Sequence, residues 1–185
     1  MDDTERMLRI KEGDEQAFRQ IVESYWKPIL NLCFHYVGNQ EDAEEVAQDV
    51  FIRLHKAAES YEPKAKLSTF LYRIAVNLSL NRIRDRKRKR LVSLDDLLKN
   101  RAKHSMISEA DDPDSLLEQK EKQQVIQKAV AALPSSQRTA VLLKRFQGLS
   151  YEEIAEVMNC SVSAVEARLH RAKQNLMKKL KHLVE

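Results

Sequence analysis

The sequence contains little glycine and proline, the residues that dominate turns. Three glycines and four prolines occur among 185 residues, which argues against a turn-rich β-sheet protein. Aromatic residues make up only 6% of the chain, but the hydrophobic share of 43% is enough to form a buried core. Long stretches with helical spacing are rich in alanine, leucine, glutamate, lysine, arginine and glutamine. Together these features predict an all-α protein.

Cysteine is also scarce, and no metal-binding spacing is present. Cys33 and Cys160 both lie among apolar residues with helical spacing, so we interpret them as reduced, small core residues. The chain contains no CxxC or HExxH pattern, and no histidine, cysteine or carboxylate group has catalytic spacing. We therefore predict no metal and no cofactor, and an enzyme is the least favoured class of protein.

Long apolar runs are absent too. No stretch approaches the roughly 18 consecutive apolar residues that indicate a membrane span. The acidic, polar N-terminus, Met1 to Glu5, has no signal-peptide core. With its unpaired cysteines, the chain is expected to be a cytoplasmic protein with no membrane span.

Charge is plentiful, and its distribution is more informative than its sum. The net charge of +4 and the pI near 9.0 permit a nucleic-acid partner. In the segment Arg82–Arg90, seven of nine residues are basic. A run of this density predicts phosphate contacts; a solvated tail or a patch for a lipid surface is the alternative.

Two long helices are predicted in the first half of the chain. The first, from Gln40 to about Ala58, is apolar on one face and largely acidic on the other, which indicates either a solvated surface or a docking face for a basic protein. The second, which we expect to begin after a cap at Ser68 and to end near Arg86, carries aromatic, asparagine and arginine side chains outside its apolar stripe.

The segment Leu149–Lys173 predicts two short helices joined by a tight turn. Ser150 and Glu153 form a capping-box pattern, Asn159 lies in the turn, and Ser161 or Ser163 can cap the second helix. That helix has one apolar stripe at steps of three and four, formed by Val162, Val165, Leu169, Ala172, Leu176 and Leu180. The pattern predicts a helix-turn-helix that enters a DNA major groove; a helical hairpin without a DNA role is the alternative.

Residues 91–112 are mostly polar and lack a helical period, so we interpret them as a flexible linker. The predicted fold is therefore all-α, with two small helical domains at 1–90 and 113–185. Pro113 marks the start of the C-terminal domain, because proline is tolerated at the first position of a helix.

In this order, the segments resemble the extracytoplasmic-function (ECF, group IV) sigma factors of the bacterial sigma-70 family. The resemblance spans nearly the whole chain. It is carried by the segments 13–18, 42–53, 67–77, 133–134, 149–155 and 165–172. It implies a transcription initiation factor that binds RNA polymerase core and promoter DNA, opens the DNA strands and performs no enzymatic step.

The resemblance also implies roles for particular residues. Those implied to bind the β′ clamp helices of core polymerase are Asp42, Glu45, Gln48, Asp49 and Arg53. Those implied to bind and open the −10 element are Lys64, Lys66, Ser68, Phe70, Tyr72, Arg73, Asn77, Asn81 and Arg84. Those implied to bind the −35 element are Lys144, Ser163, Ala164, Glu166, Ala167, Arg168, His170, Arg171 and Lys173. Of the two aromatic residues at the −10 site, Phe70 is the one more strongly expected to be buried.

Further partners follow from the resemblance alone. They are the β flap of polymerase and a cognate anti-sigma factor, and the free chain is expected to be a monomer that serves a stress response. Two other protein classes remain open: a dimeric helix-turn-helix regulator with an N-terminal sensor domain, and a helical adaptor that binds only proteins. The helix from Phe70 to Arg84 argues against an adaptor, which has no use for Arg73, Asn77 and Asn81 beside aromatic residues.

Overall fold

The computed structural model of the chain describes residues 2–62, 66–92 and 123–181, with the backbone alone for 90–92. In these ranges the only regular elements are helices, which confirms the all-α prediction. The helices are α1 (Asp3–Lys11), α2 (Glu15–Val37), α3 (Gln40–Ala58), α4 (Leu67–Val92), α5 (123–131), α6 (Ser135–Phe146), α7 (Tyr151–Met158) and α8 (Val162–Leu180).

Contacts between Cα atoms divide the chain into two compact units. The first contains α1 to α4, and the second contains α5, α6, α8 and the first part of α7. Most of the predicted linker, and the predicted helix start at Pro113, lie outside the described residues.

The core of the first unit is made by α2, α3 and α4, which pack on one another. Ile21, Leu32, Leu54 and Leu71 are completely buried. Fully burying a side chain of this size contributes about 2 kcal/mol to stability. This packing fixes the polar outer faces of α3 and α4, where the predicted binding residues lie.

Helix α1 was not predicted, because residues 3–11 are mostly polar and contain few apolar residues. Its apolar side consists of Met7 and Ile10, which are both buried. Asp2 caps the helix by accepting a hydrogen bond from the Glu5 amide at 2.8 Å. The Tyr25 hydroxyl on α2 donates to Asp3 at 2.5 Å. Burial and this carboxylate together raise the pKa of Tyr25 above its ordinary value.

Helix α2 continues through Pro28 without interruption. It ends at Gly38, which has a φ of 82°, in the left-handed region that glycine adopts without penalty. Asn39 then caps α3 by accepting from the Asp42 amide at 2.9 Å.

Helix α4 is longer than predicted and starts differently. It begins at Leu67, so the predicted capping residue Ser68 is the second residue of the helix, and it continues to Val92. At a rise of 1.5 Å per residue, its 26 residues span about 39 Å. The basic run therefore continues the same helix that carries the residues predicted to bind the −10 element.

Both helices of the predicted helix-turn-helix are present, as α7 and α8. Helix α6 precedes them and runs from Ser135 to Phe146. The capping box of α7 is confirmed: the Ser150 amide donates to the Glu153 carboxylate at 3.0 Å, and the Glu153 amide donates to the Ser150 hydroxyl at 3.1 Å.

The apolar stripe of α8 is only partly enclosed. Val165 and Ala172 are completely buried, but Val162, Leu169, Leu176 and Leu180 are half-buried. Helix α8 packs on α6, and the Asn175 amide group donates to Gln137 across this contact at 2.9 Å. A unit of a few short helices encloses little volume, so residues at the edge of the stripe keep part of their exposure.

Candidate functional site

The outer side of α3 presents a polar surface with one apolar residue at its centre. Gln48, Asp49 and Arg53 are exposed on it, and Ile52 among them is 51% exposed. We call these four residues the α3 surface. Three of them were predicted from the sequence as polymerase-binding residues.

Ile52 was missed by sequence reasoning, because an isolated apolar residue is not a signal of binding. Single exposed apolar residues are common on protein surfaces. Its position between Gln48, Asp49 and Arg53 is the reason to include it, since an apolar centre with a polar rim is the usual composition of a protein-binding surface.

Asp42 and Glu45, also predicted as polymerase-binding residues, are engaged within the first unit. Arg82 on α4 forms an ion pair with Asp42 at 2.7 Å and a second ion pair with Glu45. Arg86 lies 3.4 Å from the other oxygen of Asp42. The side chain of Asp42 is 20% exposed and that of Glu45 is 55% exposed. The structure therefore shows Asp42 as a residue that connects α3 to α4.

This arrangement lowers the pKa of Asp42 below its ordinary value. Burial by itself would raise the pKa. Hydrogen bonds from Asn39 and Arg82 and the positive charges of Arg82 and Arg86 outweigh burial and favour the carboxylate.

Replacing Arg82 by methionine is expected to lower the free energy of unfolding by about 1 kcal/mol at neutral pH, because the pairs are partly exposed and screened by solvent. The folded pKa of Asp42 lies below the unfolded value. The stability that the ionised Asp42 contributes is therefore complete above the ordinary aspartate pKa of about 4. It is lost as the pH falls through the pKa of Asp42 in the folded chain. Urea unfolding of both chains across that pH range measures the difference.

The matched control for this prediction is Arg84→Met, on the opposite side of α4. Arg84 is exposed and donates to Asn81 on its own helix. Its removal is expected to change stability by less than about 0.5 kcal/mol at every pH. Equal effects of Arg82→Met and Arg84→Met would show that the ion pairs with α3 do not stabilise the fold.

One exposed face of α4 collects most of the residues predicted to bind the −10 element. Steps of three or four residues keep side chains on the same side of a helix, and Phe70, Arg73, Asn77, Asn81 and Arg84 follow such steps. The last four are exposed and Phe70 is half-exposed. We call these five residues the α4 face.

The structure reverses the expectation for the two aromatic residues. Tyr72 is buried, with 7% of its surface exposed, whereas Phe70 keeps part of its ring exposed. Tyr72 lies off the α4 face by helical position and near Tyr25 in the core. It is therefore withdrawn as a group that stacks on bases, and Phe70 is retained.

The other −10 residues lie at the start of α4. Lys66 is exposed just before the helix, and Ser68 is half-exposed in its first turn. Lys64 lies outside the described residues.

The turn between α7 and α8 has the geometry of a helix-turn-helix. Asn159 has a φ of 49°, in the left-handed region that asparagine tolerates better than most residues. The Cys160 amide donates to the Ala155 carbonyl at 3.0 Å. Ser161 then caps α8 by accepting from the Ala164 amide at 3.2 Å. The turn thus orients α8 without a glycine.

Helix α8 presents a mixed face to solvent. Its exposed members among the predicted −35 residues are Ser163, Glu166, His170, Arg171 and Lys173, and its half-buried ones are Ala164, Ala167 and Arg168. The Arg168 guanidinium donates to the Cys160 sulfur at 2.9 Å. This contact holds Arg168 close to the turn. The exposed residues are therefore the ones accessible from solvent.

Lys144, on α6, is also engaged within the second unit. Its ammonium donates to the Leu149 carbonyl at 3.1 Å and lies 5.2 Å from the centre of the Tyr151 ring. Because the side chain is exposed, it remains accessible to a phosphate beside the helix-turn-helix.

Two family models match the chain, one in each unit. Sigma-70 region 2 matches residues 21–89, and Sigma-70 region 4 matches residues 123–176. The ECF RNA polymerase sigma factor SigW of Bacillus subtilis (strain 168) is 37% identical over 182 residues, which cover 96% of this chain and 96% of that protein. The chain belongs to the ECF sigma factors. As a member of this family, it is a transcription initiation factor that recognises promoters with RNA polymerase.

Other relatives of this sigma factor match over almost their full length. The ECF RNA polymerase sigma-E factor of Escherichia coli (strain K12) is 32% identical over 178 residues, covering 95% of this chain and 93% of that protein. The RNA polymerase sigma-H factor of Pseudomonas aeruginosa is 32% identical over 185 residues, covering 98% and 95%.

Solved structures show the same fold at lower identity. CnrH, in complex with the cytosolic domain of CnrY, has a TM-score of 0.69 at 21% identity and covers 97% of each chain. The sigma factor RpoE of Bartonella quintana, in complex with the anti-sigma factor NepR, has a TM-score of 0.67 at 24% identity. It covers 89% of this chain and 96% of that one.

Among the described residues, no cluster of three or more histidine, cysteine, aspartate or glutamate side chains could hold a metal ion. No helix in the described ranges is long and apolar enough to cross a membrane.

Proposed function

We propose that this sigma factor binds core polymerase through the α3 surface, captures the opened −10 element on the α4 face and reads the −35 element with α8. The observation that carries the proposal is the composition of the α4 face. It presents a half-exposed phenylalanine, two arginines and two asparagines along one side of an uninterrupted helix. Aromatic and planar groups stack on unpaired bases, and cations hold the backbone beside them.

Polymerase binding falls on the α3 surface, with Gln48, Asp49, Ile52 and Arg53 as contacts. Glu45 remains a candidate contact because half of its side chain is exposed. Asp42 acts indirectly in this proposal, since its carboxylate already pairs with Arg82 and Arg86. Replacing either arginine would remove an ion pair that holds α3 against α4. Polymerase binding would therefore change because α3 shifts, and not because a direct contact is lost.

In the second unit, −35 recognition falls on the exposed side of α8. Glu166 is the residue best suited to a base edge, because a carboxylate accepts from cytosine N4. Arg171 and Lys173 are suited to phosphates. Arg168, held by the Cys160 sulfur, positions the turn.

The proposed mechanism is positioning and strand capture, with no covalent step, so the chain is not an enzyme. Two DNA-binding units joined in one chain gain effective concentration when both are held on one polymerase. The free monomer is therefore expected to bind promoters weakly. Its place of action is the cytoplasm, where polymerase and promoter DNA are located.

A cognate anti-sigma factor is a further proposed partner. RpoE of Bartonella quintana was solved in complex with one, and an anti-sigma factor would act by covering the surfaces described above. Core polymerase and an anti-sigma factor that needs the α3 surface would exclude each other.

The experiment combines purified bacterial core polymerase, this chain and a promoter library. Start sites that require both proteins are expected, and their alignment would reveal both promoter elements. If active core, verified with another sigma factor, forms no complex with this chain in gel filtration, the initiation proposal fails. Nanomolar binding of the chain alone to duplex promoters in physiological salt would favour a helix-turn-helix regulator.

A further inference from the structure

The exposed side of α8 carries two side chains that are hydrogen-bonded to each other. The Nε2 atoms of His170 and Gln174 lie 3.0 Å apart, and both side chains are exposed. A spacing of four residues places them on the same side of the helix, one turn apart. His170 belongs to the residues predicted to bind the −35 element, whereas Gln174 does not.

The atoms in this contact determine which side chain donates. A side-chain amide nitrogen only donates, whereas a neutral imidazole has one nitrogen that donates and one that accepts. Gln174 therefore donates to His170 Nε2. Because Nε2 accepts, the hydrogen of the neutral ring lies on Nδ1. The contact thus selects one of the two neutral forms of the ring, the one in which Nδ1–H is a donor.

We propose that Gln174 is a positioning residue for −35 recognition, which holds the His170 ring so that its Nδ1–H donates to an acceptor on a base edge. This inference rests on the proposed function and deepens it. It adds a residue outside the predicted −35 set, and it names the class of base group that His170 recognises.

A donor on the ring distinguishes the bases in the major groove. Guanine presents two acceptors there, adenine and thymine present one each, and cytosine presents only the N4 donor. The Nδ1–H group therefore favours guanine and rejects cytosine. Glu166 lies one turn earlier on α8, and its carboxylate only accepts. The two residues therefore favour opposite groups at different positions of the element.

A histidine without such a partner discriminates less between bases. The torsion that turns its ring has two broad orientations, and the neutral ring can carry its hydrogen on either nitrogen. The hydrogen bond from Gln174 restricts this choice before DNA binds, and an interaction prepared in advance loses less conformational freedom on binding. The expected gain in base discrimination is that of one hydrogen bond, about three- to ten-fold.

A direct contact between Gln174 and DNA is the competing role. A glutamine can form two hydrogen bonds to adenine in the major groove. In the structure its amide nitrogen already bonds to the His170 ring. Gln174 also lies about 6 Å further along α8 from the turn, whereas the residues near the start of a recognition helix contact base edges. These observations favour the positioning role.

The test uses the holoenzyme formed by the full chain and core polymerase, with promoters randomised over the −35 element. His170→Ala first identifies the base position that loses its preference. Gln174→Met removes the amide but keeps the length of the side chain. It is expected to lower the preference for guanine over cytosine at that position by about three- to ten-fold. Preferences at the other −35 positions should stay unchanged, and in the His170→Ala background Gln174→Met should have no further effect.

Lys178→Met is the matched control, since Lys178 is exposed on α8 one turn beyond Gln174 and receives the same side chain. It should leave every base preference unchanged.

Three results would overturn the inference. In the first, His170→Ala or Gln174→Met leaves all base preferences intact. In the second, Gln174→Met weakens transcription equally at every −35 sequence, which indicates a general effect on α8. In the third, Gln174→Met still changes the preference in the His170→Ala background, which indicates that Gln174 itself contacts DNA. If the unchanged chain directs no transcription with active core polymerase, the proposed function itself has failed.

Discussion

Replacing Ile52 by aspartate is expected to lower the affinity for core polymerase by about 100-fold. Ile52 is 51% exposed at the centre of the α3 surface, so the substitution leaves the core of the protein intact. In a complex, the new carboxylate would be buried without a partner, at a cost of about 3 kcal/mol or more. Titration of fluorescently labelled chain with core polymerase measures the dissociation constant.

Leu8→Asp is the matched control for this substitution. Leu8 on α1 is 47% exposed. Its replacement by aspartate also introduces a carboxylate in place of an apolar side chain, at nearly the same exposure but outside the α3 surface. We expect it to bind core polymerase as the unchanged chain does. Equal losses in both variants would indicate a general effect of charge, and no loss in Ile52→Asp would exclude Ile52 from the interface.

The second large effect is expected at Glu166. If its carboxylate accepts from cytosine N4, an arginine at this position should prefer guanine, to which it can donate two hydrogen bonds. Each such pair provides about 1–3 kcal/mol of discrimination. We therefore expect Glu166→Arg to exchange a C·G preference for G·C at one −35 position, with a change in relative activity of about ten-fold or more.

Transcription from a library randomised over the −35 element measures this preference. Met177→Arg adds a guanidinium to the same helix at a residue that is 64% exposed and outside the predicted −35 set. It should increase binding without changing the base preference. An unchanged preference in Glu166→Arg would show that Glu166 does not contact a base.

The helices that sequence reasoning located correctly are those whose signals are local. The capping box at Ser150 and Glu153 and the cap of α8 at Ser161 depend on residues a few positions apart. Such signals can be read directly from the order of residues. Helix α1 was not predicted because only two of its residues are buried, which is too few to show a helical period in the sequence. They are buried because α1 packs on α2 and α3.

The features that could not be predicted depend on contacts between distant residues. Arg82 and Asp42 are 40 positions apart, and the pattern within α3 alone indicates either a solvated surface or a docking face, with no contact to α4. The burial of Tyr72 likewise depends on its position against the core, which Phe70, two residues earlier, does not share. Contacts between residues distant in the sequence therefore determine which residues of the predicted sites remain exposed to a partner.

The uninterrupted course of α4 has a mechanical consequence. Between Leu67 and Val92 the helix contains no glycine or proline, so it has no built-in point at which to bend. One inserted residue would rotate everything beyond it by about 100°, whereas seven, about two turns, would nearly restore the orientation. The helix thus fixes the spacing of the side chains along the α4 face: a substitution can change one side chain, but the distance along the axis between Phe70 and Arg84 stays constant.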